Sequence, residues 1–92
     1  MNSNSASANA GGTSTGSTDA VVRGAIEHVA PDVVAGDIPG DVDFAEWAAL
    51  DSMDFLAVLT TIEERTGIAV PELDYPEIAT IDAFAAYLDR RR

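Results

Sequence analysis

The sequence predicts an all-α fold: a small four-helix bundle of three main helices and one short one, with a long first loop. Three observations carry this. Apolar residues recur at helical spacing in three separate segments, no segment alternates as a strand would, and proline and glycine punctuate the stretches between them. The chain has 92 residues, 47% of them apolar, and no cysteine. A single apolar core, without disulfides or cysteine-ligated metal, must therefore hold the fold.

Residues 1–17 are Asn, Ser, Ala, Gly and Thr behind Met1, with no charge. Such a segment cannot bury enough surface to offset its ordering entropy, so a disordered N-terminal tail is expected, with the domain proper spanning 18–92. Thr18-Asp19 offers a cap and a first-turn acid, after which Val22, Ala25, Ile26 and Val29 recur at i, i+3, i+4, i+7. Gly24 weakens this first helix by up to about 1 kcal/mol, so it must lean on packing. Pro31 ends it. His28 is the only histidine. It has no triad or metal partner in the sequence and is expected on the surface.

From Pro31 to Leu50 no period is sustained, and Pro31, Gly36, Pro39 and Gly40 break the stretch. Ile38, Phe44, Trp47 and Leu50 are expected to pin this loop across the helix ends. Phe44 and Trp47 read as core residues rather than as a partner-binding patch. Asp41 and Asp43 raise the question of a calcium loop, but the Gly at the sixth and Glu at the twelfth position are missing.

The central helix is expected from Asp51 or Ser52 to about Thr66, with Asp51 as cap, Arg65 in the last turn and Gly67 as left-handed stop. Its apolar face reads Phe55, Leu56, Leu59 and Ile62. Asp54, Ala57, Thr61 and Glu64 fall on the other side. Ser52 then stands at the positive end of the peptide dipoles, where an attached phosphate gains roughly 0.3–1 kcal/mol. Ile68 to Ile78 is turn-rich, with Val70, Leu73, Tyr75 and Ile78 as inward anchors and one helical turn before Thr80. Thr80 caps the last helix, which places Ile81, Phe84, Ala85 and Leu88 on one face and three arginines at its end.

Charge narrows the function. The net charge is −11, and from Asp19 to Asp89 sixteen acidic residues face only Arg23 and Arg65. Nucleic acid would be repelled, whereas partners with basic patches would be attracted. With no Lys, no Cys and no glycine-rich phosphate loop, nothing looks like a catalytic centre. No apolar run has the length of a membrane span, and the N-terminus lacks signal-peptide character. A monomeric, cytoplasmic protein without membrane contact is the expectation.

From Leu50 to Arg90 the run LDSMDFLAVLTTIEERTGIAVPELDYPEIATIDAFAAYLDR resembles the acyl carrier protein family along its whole length. Asp51-Ser52-Met53 is similar to that family's Asp-Ser-Leu attachment signature. The acidic pair Glu63 and Glu64, Pro71, and the lead-in Ala79-Thr80-Ile81 to the last helix also fall where the family has them. The resemblance implies that a phosphopantetheinyl transferase, using coenzyme A and a divalent metal, joins 4′-phosphopantetheine to Ser52, and that the arm's thiol carries acyl groups as thioesters. It further implies acyl-loading, synthase and acyl-transfer partners with basic docking patches, for which Asp51, Met53, Asp54, Ala57, Glu63 and Glu64 are the expected docking residues. The competing reading of that helix face is ordinary solvation. Ala57, Phe55 and Thr60 depart from the fatty-acid carrier pattern, which favours polyketide or other specialised biosynthesis. A peptidyl or aminoacyl carrier, or an unmodified helical adaptor with the carrier fold, are the alternatives.

Overall fold

The computed structural model describes residues 13–91. Helical periodicity is realised in α1 (Thr13–Val29), α3 (Ser52–Thr66) and α4 (Ile81–Arg91), with the four-residue α2 (Phe44–Trp47) in the first connection. Short 3-10 segments occupy Ala35–Asp37 and Glu72–Ile78. The described residues form no sheet. One isolated antiparallel bridge joins Asp43 to Thr80, with Phe44 N donating to Ala79 O at 3.1 Å.

α1 packs against both α3 and α4, and α4 packs against the Glu72–Ile78 segment. The core between them contains Val22, Ile26, Ile38, Phe44, Val58, Ile62, Ile78, Ile81, Phe84, Tyr87 and Leu88. Aromatic stacking continues it toward α3, since the Phe44 ring lies 6.2 Å from Phe84 and 6.0 Å from Phe55.

α1 begins at Thr13, five residues before the expected cap. Thr18 is a buried helical residue whose hydroxyl donates to Asp89 Oδ1 at 2.6 Å, tying α1 to the end of α4. The expected tail of residues 1–17 falls, for 1–12, outside the described residues. A Cβ at Gly24 would come within 3.3 Å of Arg65 Nη1 as α1 passes the last turn of α3, a tight approach that a small shift of the guanidinium relieves.

The first connection is not the bare loop the sequence suggests. Arg23 donates from Nη1 to the carbonyls of Ala35 at 2.6 Å and Ile38 at 2.8 Å, while its Nε meets Asp19 at 2.6 Å. Glu27 accepts the amide of Ala35 at 2.9 Å. One helix face thus holds the 3-10 turn by its backbone. The second half of the connection contains α2, capped by Asp43, whose carboxylate accepts Glu46 N at 3.0 Å.

Three expected burials and one expected exposure are corrected. Trp47 is 47% exposed, because α2 turns Phe44 into the core and leaves Trp47 at its outer end. Leu56 is equally exposed and Val58 takes its place in the buried stripe of α3, together with Leu59, Thr61 and Ile62. Thr61 can be buried since its hydroxyl donates to Ala57 O at 2.8 Å within the helix. Leu73 is 91% exposed instead of anchored inward.

Candidate functional site

The backbone leading into α3 is set by two features. Ala49 adopts a left-handed conformation, φ 57°, and Leu50 N then donates back to Ala45 O at 2.8 Å, turning the chain off α2. Asp51 is extended, φ −84° and ψ −177°, and its carboxylate accepts Asp54 N at 2.8 Å. Its carbonyl accepts the first helical hydrogen bond from Phe55 N at 2.9 Å. Asp51 is therefore the expected cap. At the far end Gly67, φ 77°, donates its amide to Glu63 O at 2.8 Å and ends the helix in the conformation glycine tolerates best.

Ser52 is the first residue of α3 and is exposed. Among the described residues no side chain or carbonyl engages its hydroxyl. It sits where the amides of the first turn have no helical acceptor, so an anion on its oxygen is favoured by their dipoles. Two carboxylates, Asp51 and Asp54, stand in the same turn, and that of Asp51 is already occupied by a backbone amide.

Beside Ser52 opens a groove of about 590 Å³. Ser52, Asp51, Leu50 and Leu56 line it from the α3 side, Ala45 from α2, and Glu72 and Tyr75 from the 3-10 segment. Phe55 contributes a half-buried ring that meets Tyr75 edge to face at 5.4 Å and 77°. The groove thus joins an aromatic lining to a rim carrying a hydroxyl and two carboxylates.

The expected docking residues do not form one continuous row. Met53 is 78% exposed next to Ser52, and Asp54 is half-buried in the same turn. Ala57 and Glu64 line a second, shallower depression between α1 and α3, together with His28, Val29, Thr60 and Thr61. Glu63 is exposed but turned about 100° from Glu64 by the helical repeat. Sequence reasoning missed the groove because Tyr75 and Phe55 read simply as core anchors, and missed Glu72 and Leu56 altogether as parts of a site.

Behind the groove, Tyr87 of α4 is fully buried. Its hydroxyl donates to Asp74 Oδ2 at 2.6 Å, Arg91 approaches the same carboxylate at 3.5 Å, and the Arg91 guanidinium lies 3.7 Å from the centre of the Tyr87 ring. Burial pushes the Tyr87 phenol above its ordinary pKa, and the Asp74 hydrogen bond adds to the rise. Among the described residues no group of three or more His, Asp or Glu is placed to hold a metal ion. No helix among them is long and apolar enough to cross a membrane.

A helical bundle that offers an unengaged hydroxyl at a helix start, beside an open groove, has the form of a carrier domain. The comparison with known families agrees: residues 20–88 match the family described as phosphopantetheine attachment site, and the chain belongs to that family. No curated protein and no solved structure matches the chain significantly. The protein is thus a phosphopantetheine-type carrier of the acyl-carrier-like class.

Proposed function

We propose that Ser52 is the attachment residue and that the protein carries acyl intermediates as thioesters on a 4′-phosphopantetheine arm, presenting them to partner enzymes of polyketide or other specialised biosynthesis. The observation that carries this reading is the position of Ser52: exposed, unengaged, at the first residue of a 15-residue helix. Family membership supports the arm, and Ser52 at the helix start carries the one aliphatic hydroxyl among the residues that line the groove.

The residues fit the group. Phosphodiester formation needs a hydroxyl that a transferase can reach, and the oxygen of Ser52 then displaces the adenosine bisphosphate portion of coenzyme A as its own proton passes to a base of the transferase. The resulting anion lies at the positive end of α3. The bound arm supplies the thiol that this cysteine-free chain lacks. Tethering raises the concentration of the cargo at each docked active site, while weak, steered encounters let the carrier leave after each step.

Coexpression with a broad-specificity phosphopantetheinyl transferase tests the proposal by intact mass. One added phosphopantetheine on the wild type, and none on Ser52→Ala, is the expected result. A wild type that stays unmodified with several active transferases would sink it and favour an adaptor that kept only the fold. The intact mass of protein from its own host would separate acyl from aminoacyl cargo.

A further inference from the structure

Leu73 is the most exposed large apolar residue among those described, at 91%. A single exposed leucine ordinarily means nothing. This one differs in how firmly it is held and in what lies beside it. The next residue, Asp74, is fixed three ways: its amide donates to Pro71 O at 2.8 Å, its carboxylate accepts the buried Tyr87 hydroxyl, and Arg91 flanks it. One residue further, Tyr75 packs edge-on against Phe55. Pro71 restricts the backbone on the other side. The 3-10 segment therefore displays Leu73 from a backbone that has little freedom left to lose on binding, which lowers the entropic cost of docking.

The preceding residue, Glu72, lines the same groove as Ser52, and no hydrogen bond or ion pair engages its carboxylate among the described residues. Leu56 lines that groove too, and Met53 is exposed beside Ser52. Leu56 of α3 and the Tyr75 ring of the 3-10 segment thus line the groove beside the carboxylates of Asp51 and Glu72, and Leu73 follows Glu72 directly in the chain, outside the lining itself. An enzyme reaching the Ser52 hydroxyl meets this surface, and its complement is an apolar recess with cations at the rim.

We propose that Leu73, with Glu72 beside it, is a docking knob for the phosphopantetheinyl transferase that modifies Ser52, received in an apolar pocket edged by lysine or arginine. The proposal rests on the carrier reading above and adds a contact outside the acidic face of α3. Burying a leucine that is free in the unbound protein supports roughly a tenfold change in affinity or more.

The test is steady-state modification of the full chain by a broad-specificity phosphopantetheinyl transferase with coenzyme A, followed by intact mass. Leu73→Ser should raise the KM for the carrier about tenfold while kcat changes less than about twofold, and Leu73→Met should restore most of the loss. Val34→Ser removes another exposed apolar residue, on the first connection, and should leave KM unchanged. Since Leu73 contributes nothing to the core, the helical circular dichroism of Leu73→Ser should equal that of wild type. An unchanged KM for Leu73→Ser, or an equal rise for Val34→Ser, overturns the docking knob while Ser52-dependent modification stands. A wild type that no transferase modifies overturns both readings together.

Discussion

The hydroxyl of Tyr87 and the carboxylate of Asp74, thirteen positions apart in sequence, meet at 2.6 Å and fasten the 3-10 segment to α4. The phenol is fully buried and the carboxylate half-buried, so the bond joins a core position to the segment that walls the groove beside Ser52.

This bond predicts a pH dependence. Burial, reinforced by the Asp74 hydrogen bond, raises the Tyr87 pKa above its ordinary 10.0 in the folded protein. Between that value and the raised one the unfolded chain has released a proton that the folded chain still holds. The stabilisation is full below about pH 10 and is lost as pH rises through the folded value. Urea unfolding at about pH 8 and about pH 11 should show a larger fall in midpoint for wild type than for Tyr87→Phe. At the lower pH the variant should be less stable by roughly 1–2 kcal/mol, because Asp74 keeps Arg91 as a partner. Equal falls in the two proteins would mean that the phenol titrates as if exposed.

Ala49 gives a second prediction. A left-handed alanine costs about 1–2 kcal/mol relative to the ordinary helical region, whereas glycine occupies that region freely but loses more chain entropy on folding. Ala49→Gly should stabilise the protein by about 0.5–1 kcal/mol in thermal or urea unfolding. Its modification by the transferase should be unchanged, as the direction in which the chain enters α3 is preserved. A destabilised variant would show that the Ala49 methyl is needed for packing.

A third concerns the acidic end of α3. Glu63 and Glu64 are both exposed, so charge reversal there should leave the fold intact. The double variant Glu63→Lys, Glu64→Lys should slow modification several-fold at low ionic strength, with most of the difference gone at about 0.5 M salt, where the Debye length is only a few ångströms. Equal rates for the two proteins at low salt would remove these residues from the docking surface and leave the attachment site untouched.

Local signals that depend on neighbours along the chain were legible. Asp51 as cap, Gly67 as stop and Thr80 as cap, whose hydroxyl accepts Ala83 N at 3.0 Å, each act within one turn and need no tertiary information. The all-α class was equally legible from periodicity. What the sequence hid is tertiary. Leu56 and Val58 are both apolar and two positions apart, and only the place where α1 crosses α3 decides which is buried. Thr61 looked polar and therefore exposed, yet a helix carbonyl satisfies its hydroxyl inside the core. Tyr87 was overlooked on the buried face of α4, because the partner that lets its hydroxyl be buried lies in another element. The groove beside Ser52 was hidden for the same reason, being built from three separate segments.

Arg23 grips the first connection through the carbonyls of Ala35 and Ile38, and so reads the path of the chain without reading the side chains at its outer surface. Gly36, Asp37 and Pro39 all point their surfaces to solvent around that grip. Substitutions at these positions can accumulate without displacing the loop, so a carrier could diverge there to suit new associates while one guanidinium keeps the scaffold constant.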